Sequence, residues 1–301
     1  VSMLGPASLA LALSIVVPTA ALAQPDTDIW LGQLDLRGGR VAISGLVNIT
    51  QRPGYDNQPA FFPDQRTLAY TTQGEGGMHA ALYDLATGKA RPLPNAMGFS
   101  PTPTDDGTQL MTTFAGRVVL RDLDGTLLRT LTDSIRVGYY SRVDARTFVL
   151  FINDPDRRIV IHDVDTRSME TMAVGAITPL YQVPGENAYT FVAEAPFSSD
   201  SAVAARIDPA TVRLELRKLD LVGRRVHTLA VIPFPTPGQH AWTPRNTLLI
   251  GSGNRILEWS PAAPERWTPV ATFDDPGLQQ VSRIVISPRG DRIALVSVVR
   301  P

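Results

Sequence analysis

DNQPAFFPDQRTLAY, Asp56 to Tyr70, reads as an apolar strand, a Pro-Asp turn and a second apolar strand. Short apolar runs flanking a turn of this chemistry mark a β-hairpin. The unit recurs as GFSPTPTDDGTQLMTTF (Gly98 to Phe114), RVGYYSRVDARTFVLF (Arg136 to Phe151), PLYQVPGENAYTFV (Pro179 to Val192), HAWTPRNTLLI (His240 to Ile250) and SRIVISPRGDRIALVSV (Ser282 to Val298). The first apolar residue after each turn is Leu68, Leu110, Phe148, Tyr189, Leu248 and Ile293, at spacings of about 42, 38, 41, 59 and 45 residues. One four-stranded propeller blade takes roughly 40–45 residues. The single long interval contains Ser198 to Arg206, which reads as a loop or hairpin extension.

Between the copies lies a second hairpin-like element: ALYDLATGKARPL (Ala81 to Leu93), VVLRDLDGTLLRTL (Val118 to Leu131), IVIHDVDTRSMETM (Ile159 to Met172), LELRKLDLVGRRVHTL (Leu214 to Leu229) and ILEWSPAAPERWTPV (Ile256 to Val270). Its Thr-Gly and Asp-Gly pairs are turn chemistry, with Gly supplying positive φ. Each period then holds four short strands and no convincing helix. The sixth copy stops at Pro301 without its outer pair, and DIWLGQLDL (Asp28 to Leu36) and RVAISGLVNIT (Arg40 to Thr50) supply one. The expectation is an all-β, six-bladed β-propeller of four-stranded antiparallel blades, closed by N- and C-terminal strands that share one blade and leave no sheet edge open.

Asp56 to Tyr70, preceded by Asn48-Ile49-Thr50 and the loop QRPGYDN, resembles the repeat of TolB-type propellers, as do SPRGDRIALVS and DLATGKARPL. The likeness spans nearly all of the chain after residue 23. It weakens in copies three to five, where the turn becomes Val143-Asp144-Ala145, Pro184-Gly185-Glu186 and Pro244-Arg245-Asn246. It implies a propeller alone, without the additional α/β domain of the family's namesake or the hydrolase domain of prolyl-oligopeptidase-type enzymes, and a binding role.

Leu9 to Val17 is apolar apart from Ser14, Pro18 interrupts it, and Ala21-Leu22-Ala23 precedes Gln24. This pattern predicts a secretory signal over residues 1–23, a propeller domain over 24–301, and a periplasmic or secreted location. The apolar run is too short to span a bilayer, so no stable membrane anchor is expected after cleavage. With 28 basic and 29 acidic residues the chain has no net field to recruit nucleic acid. It has no cysteine, which removes disulfides, thiolate nucleophiles and Cys-based metal sites.

No Gly-x-Ser-x-Gly nucleophile turn is present, and Gly251-Ser252-Gly253 reads as a hairpin turn. The four histidines, at 79, 162, 227 and 240, form no short-range pair, and Asp122-Leu123-Asp124-Gly125 lacks the closing Glu of a calcium loop. No cofactor or metal is expected. The loops that lead into the innermost strands gather at a propeller's channel, and in phase they carry Tyr55, Asp56, Asn57, Met97, Phe99, Arg136, Tyr139, Tyr140, Tyr181, His240, Trp242, Gln280 and Arg283. Of these, Tyr55, Asp56, Asn57, Arg136, Tyr139, His240, Trp242, Gln280 and Arg283 are the candidate binding residues. Tyr140, Tyr181 and Trp242 also suit the packing between blades, and Asp56 suits a turn cap. Aromatic residues and Arg are the currency of protein recognition. The expected function is a non-catalytic, monomeric module that binds a protein or peptide partner in the cell envelope. The alternative is a propeller enzyme, a lactonase, lyase or glycan hydrolase, with acidic and His groups at the channel.

Overall fold

The computed structural model describes residues 24–299; the stretch read as a secretory signal, 1–23, lies outside them. Twenty-four strands form six four-stranded antiparallel sheets in a ring, a six-bladed β-propeller. Blades 1 to 5 run in chain order over 56–97, 99–130, 137–173, 181–232 and 240–272. Their innermost strands are Asp56–Phe61, Phe99–Pro103, Val137–Arg142, Tyr181–Gln182 and His240–Trp242.

Blade 6 joins the two ends of the described chain. Its inner strands are Val281–Ile286 and Arg292–Val298, and its outer strands are Thr27–Asp35 and Ala42–Asn48. Thr27–Asp35 pairs with Arg292–Val298 from Thr27↔Val298 to Gln33↔Arg292, and Val299 N donates to Asp26 O at 2.9 Å.

The core is not one mass but six clusters, one in each seam between neighbouring blades. Middle strands are therefore covered on both faces, which explains why they read as continuous apolar runs rather than alternating ones. Phe148 to Ile152 and Leu248 to Ser252 are buried at every position, whereas the outermost Leu127–Thr130 is exposed at every position. The seam between blades 4 and 5 is filled by Trp242, Trp259 and Trp267, with ring centroids 6.2 and 6.0 Å apart in succession.

The long interval is a loop between the second and third strands of blade 4. It is not a hairpin: it holds one helical turn, Ser201–Ala204, and a 3-10 turn, Pro209–Thr211. The sequence reading found no helix here. Yet Asp200 caps the turn by accepting from Ala202 N and Val203 N, and small residues follow it. In an antiparallel meander this loop leaves from the same end as the loops that enter the innermost strands, here called the inlet face. Among the described residues no helix is long and apolar enough to cross a membrane.

Candidate functional site

The channel wall owes its shape to two interrupted strands. In Asn57-Gln58-Pro59 and Phe99-Ser100-Pro101, Gln58 and Ser100 adopt φ of 55° and 53°, and the ladder skips between Asn57 and Ala60 and between Phe99 and Thr102. Pro brings no N–H to a ladder and is tolerated in strands only at edges and bulges. The Gln58 side chain turns to the channel and is pinned there, its Oε1 accepting from Thr71 Oγ1 and Ser100 N, each at 2.7 Å. A backbone N–H can only donate, so the oxygen is identified, and among the described residues the Nε2 amide of this cavity-lining side chain has no acceptor.

Beside it, on the innermost strand of the neighbouring blade 6, stands Arg283, 8% exposed. Its Nε donates to Asn57 Oδ1 at 3.1 Å and its Nη2 to the Tyr139 hydroxyl at 3.2 Å, with Cζ 5.5 Å from the Tyr139 ring centre. No carboxylate among the described residues forms an ion pair with it. The nearby Tyr55 and Tyr181 phenols are pushed up by burial, so they stay neutral at physiological pH and leave the guanidinium charge unbalanced.

Two cavities share the Gln58 and Tyr139 walls. One, about 350 Å³, occupies the channel and is bounded among others by Tyr140, Tyr181, Trp242 and Arg283. The other, about 720 Å³, opens on the inlet face between Tyr55, Phe99, Arg136 and Phe151. Among the described residues, Arg283 and Arg136 are their only charged lining residues, and none of the lining is Asp, Glu or His.

The nine candidate residues part company here. Tyr55, Arg136, Tyr139, Trp242 and Arg283 line the cavities, and Asn57 holds Arg283 in place. Gln280 is exposed at the inlet face. His240 is fully buried against the Tyr181 ring, 4.2 Å between centroids, and lines neither cavity. Asp56 is fully buried in the seam between blades 6 and 1, where its Oδ1 accepts from Arg52 at 2.6 Å and Thr72 at 2.5 Å while Oδ2 has no partner. Burial holds its pKa above the ordinary carboxylate range. Tyr140 and Trp242 serve twice, packing in seams and facing the channel. Gln58 and Ser100 were not singled out from sequence; a Pro inside an apolar strand, at 59 and again at 101, is the signal that marks them.

No protein-family model and no curated protein matches the chain. Solved structures do. A protein described as TolB from Agrobacterium tumefaciens superposes with a TM-score of 0.63 at 14% identity, over 92% of this chain and 100% of that one. The chain is a six-bladed β-propeller, and its fold is similar to that of the TolB structure. This propeller is also similar to a chain of a nidogen/laminin complex, TM-score 0.57 at 13% identity over 91% and 100% of the two chains. It is similar as well to an oligogalacturonate lyase solved with manganese, TM-score 0.53 at 14% identity over 84% and 80%. At such identities the likeness defines the fold of the propeller, and function has to be argued from the site.

Proposed function

We propose that the propeller is a non-catalytic binding module, exported by its N-terminal segment to the periplasm or beyond, that receives a protein or peptide partner of the cell envelope on its inlet face. The observation that carries this reading is the lining of the two adjoining cavities: Tyr55, Phe99, Tyr139, Phe151, Tyr181 and Trp242 with two arginines. Such aromatic and Arg-rich walls characterise protein recognition surfaces. General acid–base catalysis most often uses His, Asp or Glu, and among the described residues that line these walls there is none of the three.

The test is affinity capture from a cell-envelope extract, with crosslinking, by residues 24–301 and by the variant Phe99→Ala with Arg136→Glu. The expected result is a partner retained by the parent chain and lost by the variant. A chain that captures nothing above background, or a partner that both forms hold equally, overturns the reading. Turnover of a lactone or glycan by the same preparation would move the propeller to the enzymatic alternative.

A further inference from the structure

Three side chains that line the channel cavity carry hydrogen-bond donors in excess of the bonds they make among the described residues. Arg283 has five N–H groups, of which two are engaged, by Asn57 and Tyr139. The Gln58 oxygen is committed to Thr71 and Ser100, and its amide Nε2 makes no hydrogen bond among the described residues although the side chain lines the cavity. The Tyr139 oxygen accepts from Arg283, which leaves the phenolic proton free to donate. These three side chains bound one cavity. A buried cation is normally retained only when something balances it.

We infer that the channel is a carboxylate site, in which Arg283 takes the carboxylate and Gln58 and Tyr139 donate to it from the side. A single planar guanidinium carries one charge and a fork that matches one carboxylate. The donors are already held in place by Asn57, Thr71 and the Ser100 backbone, so little order remains to be imposed on binding. Gln58 and Tyr139 line the inlet cavity as well, so a carboxylate borne by a peptide received there is an occupant that this adjoining site fits. That last step rests on the binding-module reading; the carboxylate site itself does not, since a free small acid offers the same chemistry.

Calorimetry with acetate, succinate and benzoate, each against its neutral amide at matched ionic strength, tests the site on residues 24–301. At least one acid should bind where its amide does not. Arg283→Lys should weaken that acid by about tenfold or more, the loss of a charge-assisted hydrogen bond. Gln58→Glu keeps an oxygen for Ser100 N while placing a carboxylate in the cavity, and should abolish binding in a chain that still folds. If no acid outperforms its amide, or if Gln58→Glu binds as tightly as the parent, the site is overturned. Where the envelope capture yields a partner, displacement by the acid assigns the carboxylate to that partner; no displacement assigns it to a free acid. Acid binding without any captured partner leaves the carboxylate site standing and removes only the binding-module reading.

Discussion

His240 has both ring nitrogens in hydrogen bonds, Nδ1 with Gly238 O at 3.0 Å and Nε2 with Thr190 Oγ1 at 2.9 Å. Gly238 O can only accept, so Nδ1 carries the proton; the Thr190 hydroxyl, 2.9 Å from Nε2 and 3.3 Å from Tyr181 O, donates to the nearer Nε2, and its oxygen takes the Trp242 indole N–H at 2.8 Å. The chain of bonds is complete with a neutral imidazole. Burial accordingly lowers the His240 pKa from 6.5 to about 4. A depressed histidine means that the unfolded chain binds the proton first, so stability is full above pH 6.5 and is lost as pH falls from 6.5 towards 4. A gap of this size corresponds to about 3 kcal/mol. Urea unfolding at the two ends of that window should show the loss in the parent and a much smaller one in His240→Gln; a residual slope is expected from His79, also lowered by burial. Equal acid sensitivity in the two forms would refute the assignment. The orientation of His240 was not legible in the sequence. A three-residue strand, His240–Trp242, has too little alternation to say which side chain meets the channel and which the seam.

At the scale of the strand, Ser100 is a left-handed residue whose Oγ is buried without a hydrogen-bond partner. A left-handed conformation costs a non-glycine residue roughly 1–2 kcal/mol, and an unsatisfied buried hydroxyl adds to that cost. Ser100→Gly removes both at an entropic cost of roughly 0.5–1 kcal/mol, so a net gain of about 1 kcal/mol is expected from denaturant midpoints. The Ser100 N–H that pins Gln58 is unchanged in that variant, so a loss of stability would count against the strain argument. Most elements were legible because their turns are written in side-chain chemistry. Asp64, Asp84, Asp144, Asp163 and Asp220 each accept two backbone N–H groups of their own turn through Oδ1, and Asp122 does the same to Asp124 and Thr126 where a calcium loop was weighed. These local bonds need no tertiary partner, so sequence alone reveals them. Bulges do need one. The break at Asn57 to Ala60 exists because Gln58 finds Thr71 and Ser100 across two blades, information that no local pattern contains.

The ring as a whole is only as stable as its closing blade. Ile29, Ile293, Ala294, Leu295 and Val296 are all fully buried, and they supply the seams on both sides of blade 6. A chain beginning at Thr50 would lose two strands, remove Leu34 and Val41 from one seam and Ile29 from the other, and leave Arg292–Val298 as an unpaired edge. It is expected to aggregate on expression rather than run as a monomer in size-exclusion chromatography. What matters in this account is the closure, not where the chain is cut. Asp26 and Val299 are already hydrogen-bonded neighbours, so a short Gly-Ser linker can join them in the manner of a hairpin loop. New ends can then be opened at Val222 and Gly223, in the exposed outer turn of blade 4, where Val222 is 80% exposed. That permutant keeps every blade four-stranded and moves the closure to blade 4, so it should fold to a monomer with a thermal midpoint within several degrees of the parent. If it aggregates as the truncated chain does, stability resides in the native order of strands and not in the completed ring. A soluble, cooperatively unfolding truncation would show instead that five complete blades and the inner pair of the sixth suffice.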